Sequence, residues 1–151
     1  MKITIVRVPT IIDVSALTAP VCPPIGLAYL STIVRKFDEN YTVVDSVGEH
    51  PSVQTLKKKD GKGKFKVLGL TIEETVKRVP SDSDLILVSI MFSQDFLYVR
   101  DLIFALREMN PGASIVAGGE HVTALPEFTM ESCPPIDMCV MGEGESTLYH
   151  I

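Results

Sequence analysis

Few side chains in this sequence could do chemistry, and most of them stand where an apolar run ends. In "IVAGGEHVTALPEF" the pair Gly118 and Gly119 leaves a β-branched stretch, with His121 two residues on. Gly142, Glu143, Gly144 and Glu145 follow the apolar run that ends at Val140, and Ser89, Met91, Phe92 and Ser93 close the run "DLILVSIMF". Each feature admits two readings. The glycines either let the chain turn sharply or let a ligand approach where no Cβ stands. His121 is either a rim residue bonded locally or a ligand contact, and without a partner it carries no catalytic assignment. Glu145 either complements the positive end of a helix or faces a cofactor edge. Ser89 and Ser93 bond to backbone or face a ligand, and Asp13 and Asp95 can cap local turns. No Ser-His-Asp set and no defensible carboxylate pair results.

Other chemistries are absent by motif. There is no G-x-x-x-x-G-K-[ST] phosphate loop and no G-x-G-x-x-G after the first strand; Gly142 and Gly144 form only a lone G-x-G. No H-E-x-x-H occurs. Cys22, Cys133 and Cys139 are too scattered for a structural zinc site, a cluster held by this chain alone, or a disulfide framework. No metal ligand set is assigned.

The elements that must position these residues alternate in type. "KITIVRV" (Lys2–Val8) reads as a strand stopped by Pro9, followed by a loop of about fifteen residues. Pro24 suits the first turn of a helix, which continues with Leu27, Leu30, Ile33, Val34 and Phe37 at helical spacing. Tyr41–Asp45 is the second strand, and "KFKVLGL" a short extra strand beside a lysine-rich turn. Thr71 to Glu74 has the form of a capping box, opening a helix to about Val79. Asp84–Phe92 is apolar enough for a central parallel strand. A helix over Asp95–Met109 places Leu97, Leu102, Ile103 and Leu106 on one side. "ASIVAGG" and Ile136–Val140 are the fourth and fifth strands, and "GEGESTLYHI" starts a last helix. Five β–α units predict an α/β fold: an open parallel flavodoxin-like (Rossmann-like) sheet of order 2-1-3-4-5, with helices on both faces. Ligands of such sheets sit at the carboxyl ends of the strands. The loops after Val8, Ile90, Ala117 and Val140 form that rim, rich in proline, glycine and hydroxyls, suited to a large, partly apolar ligand.

The totals agree with one globular domain: 151 residues, 46% hydrophobic, 22% charged. A net charge of −5 argues against nucleic acid. Lys57–Lys66 is a local exception, six lysines and one aspartate for +5 against −10 elsewhere, either a solvated hairpin or a docking patch. No apolar run reaches 18 residues, which gives no membrane span, and the cysteine usage suits a reducing cytoplasm.

Taken in order, "PPIGLAYLSTIVRK" (Pro23–Lys36), "VVD" (Val43–Asp45), "GLTIEE" (Gly69–Glu74), "DLILVSIMFS" (Asp84–Ser93), "NPGASIVAGGEHVTALPE" (Asn110–Glu127) and "DMCVMGEGESTL" (Asp137–Leu148) cover nearly the whole chain. In this they resemble the N-terminal cobalamin (B12)-binding domain of B12-dependent radical S-adenosylmethionine (SAM) enzymes. The resemblance implies cobalamin as cofactor over residues 1–151. Gly118 and Gly119 would pass under its nucleotide tail, and Ser89, Met91 and Phe92 would line the slot, with Ser93 and His121 nearby. Pro24 and the loop Pro9–Pro24 would face the corrin or the radical domain, and Gly142, Glu143, Gly144 and Glu145 would shape the rim. It also implies a partner domain beyond residue 151 carrying a C-x-x-x-C-x-x-C loop, a [4Fe–4S] cluster and S-adenosylmethionine. That loop is absent here, so the chain is expected to be a fragment of a methyltransferase or a radical rearrangement or cyclisation enzyme, not catalytic alone. One departure stands out: "PTIIDVSALTAP" has no histidine where a D-x-H-x-x-G motif would supply a lower cobalt ligand. Two rivals are a regulatory module with a phosphorylatable Asp95 and a small nucleotide- or flavin-binding α/β protein.

Overall fold

Alternate residues of five short apolar runs face opposite sides of one sheet, which is why helices must cover both. In the computed structural model, residues 1–15, 21–57 and 61–150 are described. The chain runs β1 (Ile3–Arg7), β2 (Thr10–Ile12), α1 (Ile25–Val34), β3 (Thr42–Asp45), α2 (Ser46–Glu49), β4 (Val53–Lys57), β5 (Lys64–Leu68), α3 (Ile72–Val76) and β6 (Leu85–Ser89). A 3-10 turn (Ser93–Asp95) leads into α4 (Phe96–Met109), then β7 (Ser114–Gly118), α5 (Glu120–Ala124), α6 (Pro126–Ser132), β8 (Met138–Val140) and α7 (Gly144–Thr147).

The main sheet is parallel with order β3-β1-β6-β7-β8, the arrangement the alternation of strands and helices predicts. The chain reverses direction across the sheet between β1 and β6, so their carboxyl ends flank a switch point. On one face Ile86, Val88, Ile115 and Ala117 pack with Val99, Leu102, Ile103 and Leu106 of α4. On the other, Leu85, Leu87, Val116 and Val140 pack with Leu27 and Val34 of α1. Each of the valines, leucines and isoleucines among them contributes about 1.5–3 kcal/mol when fully buried, so both faces are firmly held.

Two residues depart from the expected stripes. Leu97 is 63% exposed, because the buried side of α4 runs through Phe96, Val99, Leu102, Ile103 and Leu106. Phe37 is exposed because α1 stops at Val34, and its ring meets Tyr149 edge-on at 5.7 Å. The capping box at α3 is complete: Glu74 N–H donates to Thr71 Oγ1 at 3.2 Å and Thr71 N–H to Glu74 Oε2 at 2.8 Å. The helix ends at Val76 rather than near Val79. No helix of the described residues is long and apolar enough to cross a membrane.

The loop expected after Pro9 instead opens with β2, part of a second sheet of order β2-β5-β4, antiparallel throughout. The extra strand read in "KFKVLGL" is its centre, β5. The lysine segment joins β4 to β5, and its residues 58–60 lie outside the described residues, as do residues 16–20 of the Pro9–Pro24 loop. Three residues after a proline carry too little pattern to be read as a strand. What holds β2 is tertiary. Ile11 N–H donates to Asp95 Oδ1 at 2.7 Å, and Gln94 Nε2 donates to Ile11 O at 2.8 Å, so side chains beside α4 close the outer edge of the small sheet.

Asp95 is 1% exposed, and burial pushes its carboxyl up from 3.8 to about 6, against the hydrogen bonds from Ile11 and Thr10. A raised native value means the folded state binds the extra proton between those values. Stability from this group is therefore present below pH 3.8 and lost as pH rises through about 6. Asp95→Asn keeps an oxygen for Ile11 N–H and does not ionise. Its melting temperature is expected to gain on the parent as pH rises from 4 to 7, and a constant difference would refute the shift.

Candidate functional site

β6, β7 and β8 end at one level, Ser89 beside Gly118 and Gly118 beside Val140. One level deeper, Leu87 lies beside Val116. These residues form the floor of a slot of about 230 Å³, roofed by Gly26 and Leu30 of α1 and by Gly144 and Leu148 at α7. The deep level of the floor is aliphatic, and Ser89, Thr123, Glu120, Glu143 and Glu145 bring polar groups. Glycines open it. A Cβ on Gly26 or Gly142 would meet nothing within 4 Å.

The two adjacent glycines divide their roles. Gly118 continues the pleat of β7 on the Val116 face, so a side chain there would project into the slot. Its Cβ would stand 3.7 Å from Val140 O, ordinary contact. Gly119 has φ +109°, and a Cβ there would stand 2.5 Å from Ile90 O and 2.9 Å from Ile90 C. It is demanded by the neighbouring backbone, whatever a ligand does. The sharp turn and the close approach are thus both present, one on each glycine.

Of the residues singled out from sequence, Ser89, Met91, Gly118, Gly119, Gly142, Glu143 and Gly144 line this slot, and Glu145 joins them. Phe92, Ser93, His121 and Pro24 do not. Met91 is 48% and Phe92 55% exposed on the rim, and Pro24 precedes α1, whose Gly26 reaches the slot instead. Gly26, Leu30, Val116, Val140 and Leu148 escaped sequence reading because aliphatics at helical or strand spacing look like core. Only Gly26, at a helix start, carried a local signal.

The expectation of a rim histidine is corrected. His121 is 2% exposed, its ring stacked on Phe96 with centroids 4.4 Å apart. Nδ1 lies 2.9 Å from Ser93 Oγ and Nε2 3.2 Å from Thr129 Oγ1. Burial lowers its pKa below the ordinary 6.5, which favours the neutral ring. With both nitrogens bonded inside the protein, His121 is not available as a lower ligand to a metal on the rim. Asp95, the position a phosphorylated regulatory module would need, is buried and bonded to β2 rather than presented.

The rim loops are tied to one another. Ile90 N–H donates to Gly118 O at 2.8 Å, His121 N–H to Ile90 O at 3.2 Å, and Gly142 N–H to Thr123 Oγ1 at 2.9 Å. Such bonds hold the slot's mouth in shape before any ligand enters.

Residues 12–151 match the B12 binding domain family. A protein of Pyrococcus horikoshii described as an uncharacterized methyltransferase is 31% identical over 153 residues. That match takes in all of this chain and 28% of the relative, so the chain spans little more than a quarter of that protein's length.

Proposed function

Because this chain belongs to the B12 binding domain family, we propose that it is the cobalamin-binding module of a B12-dependent radical S-adenosylmethionine enzyme. The observation that carries the reading is the glycine-opened slot under the carboxyl ends of β6, β7 and β8. At about 230 Å³ it is smaller than the roughly 300–1,000 Å³ that encloses a whole drug-sized ligand. It fits a slender part of a large molecule, such as the nucleotide tail, with the corrin resting on the rim. The aliphatic floor at Leu87 and Val116 suits an aromatic base, and the cradle at Gly118 is one a Cβ would fill.

Bound cobalamin supplies a cobalt centre that carries a methyl group or assists radical chemistry. The chain's own part is to hold and orient. Leu87, Val116 and Val140 exclude water from the inserted part, and the hydroxyl of Ser89 offers a hydrogen bond at the level of Gly118. Met91 and Gly142–Gly144 shape the mouth. We assign no catalytic residue to this chain. The iron–sulfur cluster, S-adenosylmethionine and substrate belong, in this reading, to a radical domain outside residues 1–151 of a cytoplasmic enzyme. The relative described as a methyltransferase favours methyl transfer as the parent reaction.

Mixing the purified chain with hydroxocobalamin is expected to shift the visible bands, and the corrin should stay with protein through desalting. An unshifted spectrum with free corrin in the salt fraction would defeat the reading.

A further inference from the structure

His121 is unusual among the polar side chains of this chain: it is buried, both ring nitrogens are engaged, and it contributes nothing to the slot's lining. Its bonds nevertheless have a direction that can be read by counting protons. Thr129 has one hydroxyl proton, and it goes to Leu125 O at 2.7 Å, one helical turn back. Thr129 Oγ1 can then only accept from His121, so the ring's proton sits on Nε2. Nδ1 keeps its lone pair, and the partner 2.9 Å away is the hydroxyl of Ser93, which must donate to it. The relay runs one way, from Ser93 through His121 and Thr129 to the carbonyl of Leu125.

We propose that His121 is a positioning residue that fixes the rim segment Ile90–Ser93 and makes Ser93 a hydrogen-bond acceptor toward the ligand. The ring and its own backbone act on the same segment: His121 N–H holds Ile90 O while Nδ1 holds Ser93. Met91, between those anchors, lines the slot. The proton of Ser93, an exposed residue, is taken up by Nδ1, so its oxygen is left to accept. The group they suit is an N–H or O–H donor. A primary carboxamide on the corrin periphery is such a donor, and this last step rests on the cobalamin reading. A bare ring nitrogen is not, and that task is left to Ser89, whose hydroxyl makes no hydrogen bond among the described residues.

The test has an arm that needs no cofactor. Imidazole ¹⁵N spectra of the ligand-free chain are expected to show His121 with Nε2 protonated and Nδ1 bare, and the opposite tautomer would overturn the relay. Thr129→Val removes the acceptor of Nε2–H and is expected to move the ring toward the Nδ1–H form; an unmoved tautomer counts against the proposal. In the affinity arm, His121→Leu is expected to weaken hydroxocobalamin binding roughly three- to tenfold, the worth of one or so net hydrogen bonds. His121→Asn, which keeps an acceptor near Nδ1, should stay within about twofold of the parent. Equal losses in both, or none in either, would overturn the positioning role. Should His121→Leu fail to fold, Thr129→Val carries the affinity comparison, with a two- to fivefold loss expected. A parent chain that does not bind hydroxocobalamin sinks the cobalamin reading, while the ¹⁵N result still decides the relay.

Discussion

Gly118→Leu is expected to abolish cobalamin retention while leaving the chain folded. The Cβ has room, since its nearest neighbours would be Val140 O at 3.7 Å and Val140 Cβ at 3.9 Å. Gly118 does not have the positive φ that would penalise a side chain, and glycine in a strand is itself unfavourable by about 0.5–1 kcal/mol. Stability should therefore hold or rise slightly. The isobutyl group, however, would lie across the floor of the slot beside Val140, in space the proposed nucleotide tail needs. Forcing methylenes into a filled site costs about 1–3 kcal/mol, and more when the occupant cannot repack, so a loss of roughly 100-fold in affinity is expected. Titration of hydroxocobalamin into parent, Gly118→Ala and Gly118→Leu should give a graded series. Undiminished affinity in the leucine variant would mean that the slot is not where the cofactor enters.

Gly119→Ala is expected to do the reverse, damaging the fold before binding can be asked about. At φ +109° and ψ −179° the residue occupies a region open essentially to glycine, with a cost of about 1–3 kcal/mol for any other. The new Cβ would also press on the Ile90 carbonyl at 2.5 Å, and that peptide cannot step aside easily. Its N–H is bonded to Gly118 O and its oxygen receives His121 N–H. Overpacking of this kind adds about 1–3 kcal/mol. A total of roughly 2–6 kcal/mol is a large part of the 5–15 kcal/mol that holds a typical domain. Urea unfolding is the measurement, read as a fall in midpoint at constant slope. A loss under about 1 kcal/mol would show that the loop relaxes more than its bonds suggest. A large residue at Gly119 is consequently a poor probe of binding, and Gly118 the informative one.

Much of the fold is legible because its determinants are local. The continuous apolar runs at Leu85–Ser89 and Ser114–Gly118, the capping box at Thr71 and Glu74, and Pro24 ahead of α1 are all short-range signals. Each acts within one turn or one pleat. The small antiparallel sheet is legible only at β5, because β2 is held by Asp95 and Gln94, more than eighty residues away. Part of the site is legible too. Ser89, Met91, Gly118 and Gly142–Gly144 stand at strand ends, where a parallel sheet presents its ligand face, and they do line one slot.

The amino-acid sequence by itself determined the five parallel strands, their order and the rim at their carboxyl ends, since these follow from periodicity and residue type. It could not separate Gly118 from Gly119, because the difference is the approach of Ile90 from the rim segment that follows β6. Nor could it place His121, whose burial comes from Phe96, Ser93 and Thr129 converging on one ring from three elements. Packing and hydrogen-bond direction exist only once the chain has closed on itself. That closure turned an expected rim histidine into a buried brace and left the glycine beside the slot as its opening.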